Sequence, residues 1–431
     1  MTTSPPPEDE DPVLEIRDTR TGRDYRLAVS RSAIRATDLA TIEAPGGDAG
    51  LLSYDPAFAN TASCTSAITY IDGDAGILRY RGYPIEELPG RIRFLDVACL
   101  LITGELPDAA ASREWADAVQ AASDLPAGII QLVETFPADA HPMAVLLAAW
   151  AGLGTYRGAS QAADDHAVRS LEVPHFLGSI AALTGVVFRH RTGRRVTIER
   201  PVPRDYATRL YLELFPDTRG APSAALTDAL DVLLILQADH EQNCSTNAVR
   251  AVGSSRVEPY SALAAGIAAL YGPLHGGANE QVVRMLHDIG SIDRVPAYIE
   301  AVKRGERRLM GFGHRIYKSY DPRARIIKDV ALRVFEVTGT NPLLEVALAI
   351  ERVALADSYF VDRKLYPNVD FYSGLIYEAM GLPVDTYTTL FAVARMAGWV
   401  AQWLEAIADP EQRIARPRQI YIGPAARSLD G

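Results

Sequence analysis

A chain of 431 residues is long enough to bury a large core and to hold two or three domains. With 48% hydrophobic and 23% charged residues it is neither a disordered chain nor a solenoid of polar repeats. A net charge of −11 repels phosphate backbones and anionic lipid, which excludes nucleic acid and membrane surfaces as general partners, so an anionic ligand needs a local basic site.

The opening segment MTTSPPPEDEDP is acidic and proline-rich, unlike a signal or transit peptide, and residues 1–12 are expected to form a disordered tail. Leu14 and Ile16, then Tyr25, Leu27 and Val29, alternate on either side of a turn. This period of two predicts a small β element over 13–48, closed by the glycine-rich EAPGGDAG at 43–50. AITYIDGDAGILRYRGYP follows as a hairpin around Asp72-Gly73-Asp74-Ala75-Gly76. Its likeness to a calcium loop fails, because the fifth position is Gly76 and the twelfth is Tyr83 where glutamate is needed.

From about residue 86 apolar residues recur at helical spacing, as in Leu226, Leu230, Leu233 and Leu234, and predict a mostly α chain. Gln237 continues the leucine face and His240 lies three residues further along it, so polar groups replace leucine where this helix reaches a site. FRHRTGRR at 188–195 reads as a basic loop, either a solvated turn or a phosphate site. No apolar run reaches the roughly 18 residues that span a bilayer, and a soluble protein is expected. Cys64, Cys99 and Cys244, at long spacings with no CxxC, point to a reducing cytoplasm and to no metal cluster.

Of eight histidines, His141, His166, His175, His190 and His287 lie in no pattern that demands reactivity. His240, His275 and His314 do, and so does Asp370. The helix carrying Leu263, Ile267 and Leu270 must stop at Gly272-Pro273, and Gly276 and Gly277 after His275 permit close approach of a ligand or of backbone. Such a histidine can aim its ring into a cleft, donate one N–H and have its pKa lowered by a helix N-terminus, although spacing alone leaves a structural role equally open. His314 follows Gly311 and Gly313 in a run, Lys303 to Arg325, with eight Lys or Arg and two acids. That run is either a solvated charged helix or the seat of a polyanionic ligand. It contains no GxxxxGK[ST], and GFGHRI lacks the last glycine of a dinucleotide fingerprint. Asp370, before FYSGLIYEAM, is either an N-cap or a reactive carboxylate. A facial metal triad of two histidines and a carboxylate finds no pair of ligands close in sequence.

Together DHEQN, PLHGGANE, GFGHRIYKSYDPRAR, PNVDFYSG and ARPRQIY, in this order, closely resemble the citrate synthase family over about residues 50–423, and the N-terminal β element looks like that of its bacterial hexameric branch. The resemblance implies the citrate synthase fold: a large helical domain over 49–268 and 384–431 and a small one over 269–383, closing over the substrates. It implies a homodimer or homohexamer that condenses acetyl-CoA with oxaloacetate through an enol and citryl-CoA, with no cofactor and no metal. His275, His314 and Asp370 match the catalytic trio. His240, Arg323, Arg395 and Arg416 match the oxaloacetate site, the last reaching into the neighbouring subunit. Leu309, Met310, Gly311, Gly313, Lys318 and Asn368 match the coenzyme A cradle. Gln237 departs from the pattern, since many members carry histidine there; Asn247 and the segment 186–206 also look unusual. Two alternatives stand beside this expectation. One is a 2-methylcitrate synthase, because one methylene of propionyl-CoA is worth only about 1–3 kcal/mol of discrimination; the other is a ligand-binding regulatory paralogue.

Overall fold

The computed structural model describes residues 12–44, 50–157, 166–194, 203–339 and 341–429. The expected tail therefore lies outside the described residues except for Pro12, and so does most of the boundary EAPGGDAG. The chain falls into two compact units, one of residues 1–65 with 416–431, the other of residues 66–415.

In the first unit Val13–Asp18 and Arg23–Ser30 pair antiparallel, with Leu14 opposite Leu27 and Ile16 opposite Tyr25, and Ala33–Ile34 adds a short third strand. The expected alternation is present. Leu27 is buried and Ile16, Tyr25 and Val29 half-buried, while Glu15, Arg17, Asp24, Arg26 and Ala28 are exposed, so one face of the ribbon is the more covered; Leu14 is the exposed end of that face.

The second unit is built almost entirely of helices, preceded by the expected hairpin, Thr69–Asp72 against Ile77–Tyr80. Within its turn the Asp72 carboxylate accepts from the amides of Asp74 and Ala75, so the calcium-like acid serves the turn itself. Helix starts follow local chemistry. Proline occupies the first turn in Pro142–Gly154, Pro259–Leu270, Pro322–Thr338 and Pro342–Ala356, where its missing N–H is not needed. His141, Glu258, Asp321 and Asn341 accept the exposed amides that follow.

The axis of this unit is Tyr387–Ala408, a helix apolar nearly all round and buried along most of its length. It packs on Phe94–Thr103, His166–Thr192, Ala224–Gln237, Cys244–Gly253 and Pro259–Leu270. Trp150, Phe176, Tyr260 and Trp403 fill the space with tilted and edge-on rings; burying each such side chain stabilises the fold by roughly 1.5–3 kcal/mol. At Gly398 an added Cβ would stand 2.4 Å from the Ala238 carbonyl oxygen, so only glycine lets the end of the leucine helix settle here. A second packed group joins Pro322–Thr338 and Ala278–Ile289 to Asp370–Ala379.

The reading of 188–195 as a loop is corrected. The helix His166–Thr192 runs through most of it, and each basic side chain described has a partner. Arg189 binds Glu213, Arg191 binds Asp385, Arg194 binds Asp217, and the His190 ring meets the Phe136 carbonyl. Basic residues in a last turn also face the negative end of the helix dipole. Arg195 lies outside the described residues. Among the described residues no helix is long and apolar enough to cross a membrane.

Candidate active site

Four chain segments of the second unit bring their polar groups together. The leucine helix ends at Gln237, and the next residues, Asp239 and His240, are buried. Asp239 is fixed from the hairpin, because Thr69 donates its hydroxyl to Oδ2 at 2.6 Å and the Tyr80 hydroxyl donates to the Asp239 carbonyl at 2.9 Å. His240 places Nε2 3.3 Å from the Tyr317 hydroxyl and its ring 5.2 Å, edge-on, from that of His314. Burial, with Arg323 and His314 beside it, holds the His240 pKa well below its usual value.

His275 sits in the turn after Pro259–Leu270. Gly276 donates its amide to the Leu270 carbonyl at 3.0 Å, and a Cβ there would lie 2.3 Å from that oxygen, so glycine is required. At Gly277 the nearest atom to an added Cβ is 3.5 Å away, an ordinary contact; the expected close approach belongs to Gly276 alone. The ring is oriented from another helix. His275 Nε2 accepts the Ser245 backbone N–H at 3.3 Å, and the Ser245 hydroxyl lies 2.9 Å away, itself held by Trp399 Nε1 at 3.1 Å. A backbone N–H can only donate, so Nε2 is the acceptor and the proton resides on Nδ1. Burial first, then Arg395, lowers the His275 pKa to about 4, and the ring is neutral at pH 7.

His314 is oriented by its own loop. Nδ1 accepts from the amides of Ile316 at 3.1 Å and Tyr317 at 3.3 Å, which leaves the proton on Nε2. Burial, then Arg323, brings its pKa to about 4 as well. Gly311 and Gly313 have φ of +77° and +80°, the left-handed region, and a Cβ at Gly311 would press within 3.0 Å of the Phe371 Cα. The loop is stitched to the Asp370 segment by three hydrogen bonds. Gly313 N donates to the Tyr366 carbonyl at 2.8 Å, Asn368 N to the Gly311 carbonyl at 2.9 Å, and Asn368 Nδ2 to the Gly313 carbonyl at 3.0 Å.

Asp370 does not cap its helix. It is the first residue of Asp370–Ala379, Val369 is the cap position, and the side chain that takes a free amide there is that of Asn368, whose Oδ1 accepts the Asp370 N–H at 3.0 Å. Its Oδ1 is shielded from solvent and has no hydrogen-bond partner. Burial raises the Asp370 pKa to about 6, against the opposing pull of Arg323 and with the help of Asp321.

The two arginines differ in engagement. Arg323 donates through Nε and Nη2 to Asp321 at 3.0 and 2.9 Å; burial opposes its charge, but the Asp321 carboxylate outweighs it and raises the pKa. Arg395 donates only Nε, to the Gln237 carbonyl at 2.7 Å, while its Nη1 is buried without a partner. Burial lowers the Arg395 pKa to about 10. Gln237 is fully buried; its Oε1 accepts from the Tyr377 hydroxyl at 3.5 Å and its Nε2 has no partner. The sequence placed Gln237 at the site end of the leucine face and marked it as a departure, but gave no role to Ser245, Tyr317 or Asp321. The signal for Asp321 was present in the Asp-Pro helix start; for Ser245 there was none.

Arg416 is exposed, in a stretch of the first unit outside any helix or strand. Leu309 is buried, Met310 N meets Met285 Sδ at 3.3 Å, and Lys318 is exposed with Nζ donating to the Arg315 carbonyl at 3.3 Å. Part of the positive charge along 303–325 is neutralised by acids of this chain. Lys303 binds Glu300 and Asp357, Arg304 binds Glu306, Arg307 binds Asp288, and Arg323 binds Asp321. Three of the other histidines have plain structural partners: His141 caps a helix, His190 meets a carbonyl, and His287 binds Glu378 at 2.6 Å. His175 stands 3.5 Å from Arg157, and the His166 side chain lies outside the described residues. Among the described residues no group of three or more His, Cys, Asp or Glu is placed to hold a metal ion.

A family model described as citrate synthase, C-terminal domain, matches residues 57–418. A peroxisomal citrate synthase of Dictyostelium discoideum is 46% identical over 97% of this chain and 87% of its own. A glyoxysomal citrate synthase of Cucurbita maxima is 44% identical over 97% of this chain and 83% of its own. The ternary complex of a Thermoplasma acidophilum citrate synthase with carboxymethyl coenzyme A and oxaloacetate superposes with a TM-score of 0.78 at 30% identity, covering 86% of this chain and 96% of that one. The cytoplasmic location read from the cysteines does not stand, since these relatives are named for peroxisomes and glyoxysomes. Cysteines outside disulfides report a reducing milieu, which is not a property of one compartment.

Proposed function

We propose, for a chain that belongs to the citrate synthase family, a division of labour in the condensation of acetyl-CoA with oxaloacetate and water to citrate and CoA. The protein is a transferase of that family. Asp370 acts as general base on the methyl group beside the thioester, and a pKa of about 6 keeps it ionised yet basic near neutrality. His275, neutral with its proton on Nδ1, donates to the enolate oxygen as charge develops there. The enol carbon then attacks the ketone carbon of oxaloacetate, whose oxygen becomes an alkoxide facing the Nε2–H of His314. Water finally adds to the thioester of citryl-CoA and the CoA thiol leaves.

The single observation that carries this reading is a set of buried polar atoms left without partners. Asp370 Oδ1, Arg395 Nη1 and Gln237 Nε2 are an acceptor and two donors, beside neutral imidazoles. An unpaired buried polar atom costs about 1–3 kcal/mol; an anionic dicarboxylate would satisfy the donors. Arg323, Arg395 and His240 hold its carboxylates, with Arg416 contributed by a neighbouring subunit of a homodimer or homohexamer. Residues 269–383 act as the small domain against a large domain of 49–268 and 384–431, and the N-terminal β element is taken as that of the bacterial hexameric branch. Leu309, Met310, Gly311, Gly313, Asn368 and Lys318 cradle coenzyme A. Two imidazole N–H groups supply the polarisation that a Lewis acid would, so neither metal nor cofactor is proposed. Activity that survives exhaustive chelation is the expected result, and loss restored by added metal would overturn that part.

Release of CoA thiol on mixing the protein with oxaloacetate and acetyl-CoA tests the function. Thiol release with neither acetyl-CoA nor propionyl-CoA would overturn it. The propionyl-CoA alternative is not favoured, because the relatives carry citrate synthase names.

A further inference from the structure

The hairpin Thr69–Tyr80 touches both histidine-bearing segments that flank the ketone site. Its strands hold Asp239, next to His240, through the Thr69 and Tyr80 hydroxyls. Its turn lies against the chain just beyond His314. The Gly73 carbonyl accepts the Lys318 amide at 2.8 Å, and a Cβ on Gly73 would stand 2.2 Å from the Ile316 carbonyl oxygen and 2.7 Å from its carbon. A Cβ on Gly76, whose φ is +69°, would stand 2.6 Å from Ser319 Oγ and 3.0 Å from the Tyr320 carbonyl oxygen. Ile316 is also the residue whose amide fixes the His314 ring, at 3.1 Å. The Ile316 carbonyl that meets the turn belongs to the same peptide as the Tyr317 amide, which donates to His314 Nδ1 at 3.3 Å, so one of the two peptides that orient the imidazole rests on the hairpin turn.

We infer that the β-hairpin turn, through Gly73 and Gly76, is a positioning element that sets the placement of His314 relative to His240. The strands fix one end to Asp239 and the turn fixes the other to residues 316–320. A hairpin is stiff along its length, so the separation of the two rings, 5.2 Å, is set by a template outside either loop. Gly73 and Gly76 touch neither substrate nor reacting atoms; they act through His314.

The inference rests on the function proposed above. Gly73→Ala must displace the Ile316 carbonyl, and with it the amide on His314 Nδ1. A misplacement of about 1 Å costs roughly 100-fold in rate. The expected result is a fall in kcat of about 100-fold, while the oxaloacetate Kd from calorimetry changes less than about threefold, because the arginines hold the carboxylates. Gly82→Ala is the control. It lies in the adjoining turn, has φ of +92° and meets nothing within 4 Å, so it strains the same sheet without touching the His314 loop. Its kcat should match the wild type. Should Gly73→Ala not fold, Gly76→Ala carries the test, with a smaller fall in kcat that Ser319→Ala in the same chain partly reverses. A folded Gly73→Ala or Gly76→Ala with wild-type kcat would overturn the inference, as would a loss in kcat equalled by Gly82→Ala. Wild-type protein that releases no thiol would instead overturn the proposed function, and the inference with it.

Discussion

The turn around His275 and the loop around His314 reach the same charge state by opposite routes. Both hold a half-buried imidazole with a pKa of about 4, but His275 accepts at Nε2 from Ser245 on another helix, whereas His314 accepts at Nδ1 from amides two and three residues ahead. One tautomer is imposed from 30 residues away and the other is written into its own loop. The lesson is that a motif specifies a reactive residue more fully when its partner is its own backbone. His314 takes its tautomer from its own loop, although the placement of that loop depends on the hairpin turn; His275 takes its tautomer from a distant helix.

Asp370 stands outside this contrast, because both donors act on charge that only a base can create. Asp370→Asn is expected to lower kcat about 10³–10⁴-fold, and calorimetry should find oxaloacetate binding nearly intact. Binding lost along with turnover would show that the carboxylate holds substrate instead.

Separating the two histidines is the next test, with losses of about 10²–10³-fold each in thiol release. The two should part company in deuterium exchange at the acetyl methyl group. His275→Ala should suppress exchange, since its N–H stabilises the enolate, and His314→Ala should leave exchange measurable while condensation fails. Equal suppression by both would erase the proposed difference in roles.

The pH profile should tell base from donors. Protonating Asp370 removes the base, so kcat should decline as pH falls through about 6 and be roughly tenfold lower at pH 5. Both imidazoles, at about 4, stay neutral over that range. Stability has its own sign. Because the folded pKa of each histidine lies below the ordinary value of 6.5, the unfolded chain binds more protons between about 4 and 6.5, and this contribution is lost as pH falls through that window. Asp370, with its pKa raised from 3.8 to about 6, acts in the opposite direction, favouring the folded state at low pH and losing that as pH rises to 6. Thermal melts of His275→Gln against the wild type from pH 4 to 7 should therefore converge at the acid end.

The smallest expected effect is at Ser245. Ser245→Ala deletes the hydroxyl but keeps the backbone N–H on His275 Nε2, and a neutral hydrogen bond contributes about 1 kcal/mol, so kcat should fall roughly fivefold. His314 has no counterpart to this variant, since its partners are main-chain amides.

Much of the site was legible because its residues lie in short, distinctive strings. His240, His275, His314, Asp370, Arg323 and Arg395 were all named from the sequence, and the structure brings them to one region of residues 66–415. What escaped was set by distant partners. Counting charges suggested a solvated helix or a polyanionic ligand along 303–325 and a solvated turn or a phosphate site at 188–195, but Asp288, Asp357, Glu213 and Asp385 come from other segments to neutralise part of that charge. Asp370 looked like a cap, and only the fold shows Oδ1 buried and unpaired. Gln237 looked like a loss of titratable chemistry, yet its buried, unpaired amide N–H₂ makes it a donor that pH cannot switch off.

The sequence by itself determined where helices stop and start, at Gly272-Pro273 and at Asp321-Pro322, because those signals act through backbone geometry within one turn. It also determined which residues could react. Only the tertiary structure decided which ring nitrogen of His275 carries a proton, which polar atoms are left unpaired, and that the turn of a distant hairpin backs His314. Those properties depend on burial and on contacts between segments as far apart as Gly73 and Lys318, and packing, unlike propensity, belongs to the folded chain as a whole.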